Sequence, residues 1–379
     1  MKHLLTKIMF AGLIPLVLMV TVLAACSIEI PDQLPAQITE TSTERPAGAA
    51  DSPTVPPATH TPASPLAISD QETPTADPEL SGFFYYIGVD VGELKVISMD
   101  LATGLETAIL TPPEDAWLSE LALSPDGSQL LLAYSPPPED GLVQYGFTDL
   151  YLMPADGSVG PELLLSGADS SESYFNISWP VAETIYYAHF APSFADDGLI
   201  TYGSQVERLH LPEATVETLA PGAAWPRVSN DGAMLAYVTD ANELILAESS
   251  GANPKRLLEP ETFLAIDAPL FSPDNSLLCF SAVEQVSSSL PFLFSRLLGL
   301  KIAYAHNVPS DWYCLPLDGS GEPVRLTDLD GLGLYGDFAA GGRYLAFVTT
   351  AGIYVVQLDG SDLRQLLERD LVGTLNWTP

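Results

Sequence analysis

The stretch LALSPDGSQLLLAYS, residues 121–135, decides the fold of this chain. It consists of an apolar run, a Ser-Pro-Asp-Gly turn and a second apolar run. Asp-Gly supplies the positive-φ residue that a tight turn between antiparallel strands needs, and the apolar flanks favour a pleated sheet. The stretch therefore predicts a β-hairpin.

The same hairpin pattern recurs along the chain, with one close copy, two weaker copies and one degenerate copy. In that order they are LFSPDNSLLCFS at 270–281, VSNDGAMLAY at 228–237, FAAGGRYLAF at 338–347 and ISWPVAETIYY at 177–187. A spacing of roughly 40 to 65 residues fits one four-stranded sheet per repeat. Such sheets bury both faces only when they stack radially against their neighbours, as they do in a propeller.

A second hairpin follows the first within the units and turns at an Asp-Gly pair. Its clearest instances are DLYLMPADG at 149–157, DWYCLPLDG at 311–319 and GIYVVQLDG at 352–360. Together these repeats resemble those of the TolB family, which are related to WD40 repeats and often called PD40 repeats after the Pro-Asp of the turn. The resemblance covers about residue 80 to residue 379 and implies a β-propeller.

The two ends of this domain predict how the propeller closes. Residues 373–379, GTLNWTP, look like an opening strand that stops at its turn, whereas residues 81–88 look like the continuation of such a strand. If both ends share one blade, the ring closes and no open sheet edge remains. We therefore expect an all-β, six-bladed β-propeller whose N- and C-terminal strands complete one blade; five or seven blades are the alternatives.

Residues 1–25 have the pattern of a lipoprotein signal peptide. A basic start is followed by an apolar run, and the sequence LAAC at 23–26 resembles a lipobox. The resemblance implies that Cys26 is lipidated and that the domain lies outside the cytoplasm, anchored to the cell membrane. In a diderm host, Ser27 after the cysteine favours the outer membrane. The alternative is a membrane-spanning helix with an incidental cysteine, for which the apolar run is barely long enough.

Residues 26–79 predict a lipid-anchored linker. Proline, threonine, alanine and serine dominate this segment, and Phe, Trp and Tyr are absent from it. Such a composition cannot bury enough apolar surface to offset the entropy of ordering, so we expect a disordered tether. At about 3 Å per residue in polyproline conformation, it would reach on the order of 100 Å. The propeller domain then occupies residues 80–379.

The formal net charge of −35 narrows the partners that the chain can bind. So acidic a protein repels nucleic-acid phosphates and anionic lipid headgroups, so we expect no nucleic-acid partner and a membrane contact made through the lipid anchor. Two interpretations of the charge remain, a well-solvated surface and a surface that recruits cations or basic partners.

Cys279 and Cys314 lie in strand-like runs that the repeat scheme places on adjacent strands of one blade. In an oxidising compartment a disulfide between them would persist. Two separate buried thiols are the alternative. With no histidine nearby, the pair does not predict a zinc site.

One repeat carries an apolar insertion, residues 290–306, whose only formal charges are positive in a very acidic protein. An exposed apolar patch of this size usually marks a binding surface. The candidate partner-binding residues are Phe292, Phe294, Arg296, Leu297, Lys301 and Tyr304. The alternative is a loop or short helix that folds back over the propeller.

No catalytic motif is found. The sequence contains no nucleophile elbow, no His-Glu-x-x-His and no glycine-rich phosphate loop before a helix, so we predict no catalytic residue, metal or cofactor. Acidic turns such as 327–331 lack the ligand spacing of an EF-hand and are expected to be ordinary turns. The fold resemblance favours a non-catalytic binding or scaffold protein with an unknown partner in the cell envelope. The alternative is a receptor for a small ligand or cation, or an enzyme, with a site in the central channel.

The lipid anchor is tested by Cys26→Ser. Without the thiol no diacylglyceryl group can be attached, so we expect the protein to lose incorporated radiolabelled palmitate and to leave the membrane fraction. The double variant Cys279→Ser, Cys314→Ser is the matched control and should keep the label. A Cys26→Ser protein that stays in membranes would instead support a spanning helix.

Overall fold

The computed structural model describes residues 80–138, 146–167, 171–194, 200–285 and 308–379. In these ranges the strands form six four-stranded antiparallel sheets, which confirms the predicted all-β, six-bladed propeller. The described residues include no helix long and apolar enough to cross a bilayer. The predicted signal peptide, Cys26, the tether and the insertion lie outside the described residues.

Each sheet is one blade. Its inner strand is the edge strand that contacts the inner strands of the neighbouring blades. Blade 1 contains β1 (Phe83–Asp90), β2 (Glu93–Asp100), β3 (Glu106–Leu110) and the last strand, β24 (Leu371–Thr378). Blade 2 contains β4 (Trp117–Leu123), β5 (Gln129–Ser135), β6 (Asp149–Pro154) and β7 (Glu162–Leu165). Blade 3 contains β8 (Ser173–Val181), β9 (Thr184–Phe194), β10 (Ile200–His210) and β11 (Thr215–Pro221).

The remaining blades follow the same order. Blade 4 contains β12 (Ala223–Val228), β13 (Met234–Thr239), β14 (Leu244–Glu248) and β15 (Lys255–Arg256). Blade 5 contains β16 (Phe263–Phe271), β17 (Leu277–Glu284), β18 (Asp311–Pro316) and β19 (Val324–Arg325). Blade 6 contains β20 (Tyr335–Phe338), β21 (Tyr344–Thr349), β22 (Gly352–Gln357) and β23 (Arg364–Glu368). The inner strands are therefore β24, β4, β8, β12, β16 and β20.

The Ser-Pro-Asp-Gly motif forms the turn between the inner strand and the next strand. In blade 2, the Ser124 hydroxyl donates to Asp126 Oδ1 at 2.7 Å and accepts the amide of Gln129 at 2.9 Å. Gly127 has φ 71°, a conformation that a side chain disfavours. Hydrogen bonds from Ser124 and Ser128 lower the pKa of the Asp126 carboxyl to about 2. The aspartate therefore serves the turn itself.

The C-terminal strand closes the ring, as the sequence predicts. In blade 1, β24 pairs with β1, with Thr378 opposite Phe83. The Trp377 ring packs edge-on against Phe84 at 5.0 Å, and its indole N–H donates to the carbonyl of Ser81 at 2.9 Å. At Gly373, with φ 69°, a Cβ atom would lie 1.9 Å from the carbonyl oxygen of Ser119 in blade 2. Only glycine allows this close approach of β24 to β4.

Cys279 and Cys314 are direct partners across β17 and β18, and their sulfurs are bonded at 2.06 Å. Both residues are buried, with 0% and 7% of their surface exposed. The bond spans 35 residues of chain, including the segment that carries the insertion. In the chain-entropy model, closing a loop of that size stabilises a fold by about 4 kcal/mol.

Blade 3 contains an ionic clamp centred on His189. Its Nδ1 lies 3.3 Å from Glu207 Oε1, and its Nε2 lies 3.2 Å from Glu172 Oε2. A neutral imidazole has a single N–H, so only the charged ring donates to both carboxylates. Burial opposes that charge, but the two glutamates outweigh burial and raise the pKa of His189 above 6.5. Despite burial, His189 in turn holds the pKa of Glu207 below 4.5.

Trp377→Ala tests the closure of the ring. Trp377 is 8% exposed, so we expect its truncation to lower the free energy of unfolding by about 3–5 kcal/mol, measured by denaturant titration. Val324→Ala, at a side chain 66% exposed, is the control and should change it by less than about 0.5 kcal/mol. Equal, small effects would mean that β24 does not hold the ring closed.

The clamp predicts a dependence of stability on pH. A raised histidine pKa stabilises the fold fully below pH 6.5, and that contribution is lost as the pH rises through the folded-state pKa. A lowered Glu207 pKa stabilises above pH 4.5 and is lost as the pH falls through its folded-state value. His189→Gln should therefore show a smaller fall in unfolding free energy between about pH 6 and about pH 8.5 than the wild type. His210→Gln should match the wild type, and a His189→Gln protein with the same pH profile would contradict the assignment.

Candidate functional site

The mouth of the central channel holds a cavity of about 600 Å³. All six blades contribute to its wall through the ends of their inner strands, and the turn that includes Ser124 to Gly127 forms part of its rim. Cavities of this volume accept small organic ligands. The channel mouth is therefore the candidate functional site.

Below the mouth, each inner strand places one residue at an equivalent level of the channel. These residues are Glu120, Asn176, Trp225, Ala268, Tyr335 and Thr374, and they border a second cavity of about 30 Å³. Three of them have positive φ, with values of 49° for Asn176, 61° for Trp225 and 47° for Ala268. The strand register shifts at these three positions. Such bulges redirect side chains, here at the level where the channel narrows.

Glu120 joins three blades at this level. It is 4% exposed, and its Oε2 accepts the amide of Ile177 at 2.9 Å. Its Oε1 accepts the Tyr335 hydroxyl at 3.0 Å and the Asn176 amide group at 3.4 Å. Burial raises the pKa of Tyr335 well above its usual range, and the charges of Glu120 and Asp267 add to the effect. Tyr335 therefore stays a neutral hydrogen-bond donor.

Arg227 is the cation at the floor of the mouth. It extends from β12 past blade 5, where Nε donates to the carbonyl of Pro269, and reaches β20, where a terminal nitrogen donates to the carbonyl of Gly336, both at 3.4 Å. Its side chain borders both cavities. Within the described part of the chain, no carboxylate forms an ion pair with Arg227 inside 4.0 Å. Burial lowers its pKa, against the opposing charges of Asp337 and Glu120.

Asp337 follows Gly336 in β20 and borders the same cavity. Its Oδ2 accepts the amide of Trp377 at 2.8 Å, and its Oδ1 accepts the amide of Phe338 at 2.9 Å. Burial raises the pKa of Asp337, although Arg227 and these two amides favour the charged form. Arg227 and Asp337 thus influence each other electrostatically without a direct salt bridge.

The sequence predicts no channel residue, because six residues from six repeats meet only in the closed ring. The available signal was a charged residue, such as Glu120, Arg227 or Asp267, inside an otherwise apolar strand. Of the residues that the sequence did single out, Cys279 and Cys314 lie in blade 5, away from the channel mouth. Cys26 and the insertion residues lie outside the described ranges. In those ranges, no group of three His, Cys, Asp or Glu residues is placed to hold a metal ion.

No protein-family model matches the chain, and no curated protein matches it in sequence. Solved structures do match its fold. TolB from Acinetobacter baumannii aligns with a TM-score of 0.53 and 15% identity, over 79% of this chain and 67% of that one. Hydrazine synthase from Kuenenia stuttgartiensis aligns with a TM-score of 0.50 and 12% identity, over 76% and 45%. Oligogalacturonate lyase from Vibrio parahaemolyticus aligns with a TM-score of 0.45 and 9% identity, over 76% and 74%.

At these identities the similarity concerns the fold alone, which TolB shares with an enzyme, hydrazine synthase. The fold accordingly leaves the activity undetermined. The number of blades, the Pro-Asp turns and the shared blade at the two ends agree with the repeat pattern of the sequence. The described domain is a TolB-like six-bladed β-propeller.

Proposed function

We propose that this protein is an extracytoplasmic, lipid-anchored binding protein whose propeller engages a partner in the cell envelope. The observation that carries the proposal is the cavity of about 600 Å³ to which every blade contributes. A site assembled from all six repeats exists only in the complete ring.

The location rests on two features of the chain. The start of the sequence resembles a lipoprotein signal peptide ending at Cys26. The bonded cysteines of blade 5 belong to an oxidising compartment, since thiols in the cytosol are kept reduced. Both features support a domain that works outside the cytoplasm.

The strand directions determine which turns and chain ends lie on the cavity face of the propeller and which lie on the opposite face. The turn after β16 contains Pro273 and lines the cavity, and β17 runs away from it to Glu284. The insertion that follows Gln285 therefore leaves from the opposite face. The last strand runs toward the cavity, where Thr378 pairs with Phe83, so the domain begins on the cavity face. The described domain thus begins on the cavity face, whereas β17 ends on the opposite face.

The insertion supplies the second binding surface of the proposal. Its aromatic residues and its two cations, Arg296 and Lys301, stand in a chain of net charge −35. An apolar, locally basic surface suits a protein partner with an apolar and acidic contact region. The disulfide ties together the two strands from which the insertion leaves and returns.

In-cell cross-linking with mass spectrometry tests the partner. We expect the full protein to capture a specific envelope protein, and a variant with residues 287–307 replaced by a short Gly-Ser linker to lose it. A variant with Ser or Ala at Phe292, Phe294, Leu297 and Tyr304 should behave like the replacement, because it removes the apolar contact and keeps the length. No captured partner in any form would overturn the scaffold function.

A receptor for a small ligand is the second candidate, and a specific observation favours it. Acidic, aromatic and cationic side chains converge below the cavity, among them Glu120, Tyr335 and Arg227. Convergent polar groups at the base of a ligand-sized cavity are the usual mark of a small-molecule site. The second candidate needs only the cavity, whereas the first also uses the insertion, so a single protein can perform both.

A further inference from the structure

We infer that the channel mouth binds a small zwitterion of the amino-acid type, with its carboxylate on Arg227 and its ammonium group on Asp337. The inference rests on the second candidate function, binding of a small ligand in the channel, and names the class of that ligand. It needs neither the insertion nor a protein partner.

Arg227 supplies the hydrogen-bond donors for the anionic end of the ligand. A guanidinium carries five N–H groups, and in this structure its hydrogen bonds are the two 3.4 Å contacts to the carbonyls of Pro269 and Gly336. Both contacts are long, and most of the N–H groups remain for another acceptor. The Arg227 side chain is half-buried, and among the described residues no carboxylate pairs with it, although charges withdrawn from water are normally paired. A ligand carboxylate in the cavity would pair with the guanidinium of Arg227 through two parallel hydrogen bonds.

Asp337 provides the acceptor for the cationic end. Its two oxygens offer about four lone-pair sites, of which the amides of Trp377 and Phe338 occupy two. These two amides, one in β24 and one in β20, hold the carboxylate in place, so it needs no rearrangement to receive an ammonium group. Gly336, whose carbonyl contacts Arg227, is the neighbouring residue in β20, so the two charges lie side by side at the cavity floor.

The guanidinium of Arg227 and the carboxylate of Asp337 form no direct salt bridge, and for this reason the site favours a zwitterion. A direct salt bridge would neutralise both groups, whereas a pair with no contact inside 4.0 Å presents two opposite charges to a ligand. The buried carboxylate of Glu120 adds a second negative charge that acts on Arg227, and it disfavours a ligand that brings only negative charge. A molecule that carries one charge of each sign satisfies both groups and leaves the net charge unchanged.

The lining of the cavity accommodates the remainder of such a ligand. The cavity of about 600 Å³ is larger than any amino acid, and its lining mixes polar groups with apolar ones from all six blades. The side chain of the ligand therefore has room above the two charges.

Isothermal titration calorimetry on the purified full chain tests the inference. The twenty amino acids are titrated first, and the tightest ligand is then compared with its deaminated acid and its decarboxylated amine. We expect the amino acid to bind and each half-molecule to bind at least about tenfold more weakly, because each loses one charge-assisted contact. Arg227→Lys, which keeps the charge but not the fork of donors, and Asp337→Asn should each weaken binding roughly 10- to 100-fold. Arg364→Gln, on an outer strand, should bind like the wild type.

The outcomes separate the ligand class from the function. Binding of the deaminated acid as tight as that of the amino acid would overturn the zwitterion and keep a channel receptor. Equal affinity in Arg227→Lys, Asp337→Asn and the wild type, with circular dichroism showing all of them folded, would overturn the assigned residues. No heat with any amino acid would overturn the inference, while the cross-linking result would still decide the scaffold function.

Discussion

The pairing of the last strand, Leu371–Thr378, with the first, Phe83–Asp90, is the constraint on which the rest of the structure depends. A four-stranded sheet with two apolar faces is stable only between two neighbours, so an open row of blades would leave two faces in water. Closure removes both. The hydrogen bonds of Thr374 and Asn376 to the backbone of Leu121 and Leu123 then fix the inner strand of blade 1 against that of blade 2, at 2.8 Å each.

Closure of the ring also creates the channel. Polar side chains of the inner strands then lie buried around the channel axis. Inner strands converge on the axis, where bulges at Asn176, Trp225 and Ala268 turn side chains inward. The buried carboxylate of Glu120 is tolerated there because Ile177, Tyr335 and Asn176 donate to it from other blades. The same residues therefore stabilise the ring and form the base of the ligand-sized cavity.

The net charge of the molecule does not describe the local charges at the turns or at the channel floor. The overall excess of acidic residues supports a soluble surface, and part of it is used locally, as where Asp126 completes its own turn. At the channel floor both signs of charge occur, because Arg227 lies near the carboxylates of Glu120 and Asp337. A net-charge argument predicts cationic ligands, whereas the local arrangement favours a ligand with both charges. The difference arises because electrostatic interactions between buried groups are decided within a few ångströms.

The sequence by itself determined the all-β class, the six blades and their closure, because each repeat carries its own turn, as at Ser124 to Gly127, and turn geometry is a local property. It also placed Cys279 and Cys314 on adjacent strands. Only the tertiary structure decided the site: Arg227 and Asp337 are 110 residues apart in the sequence, and no local pattern relates them. They meet because the ring brings the inner strands of blades 4 and 6 to one axis. The arrangement of six inner strands around that axis depends on all the repeats together, so no single repeat encodes it.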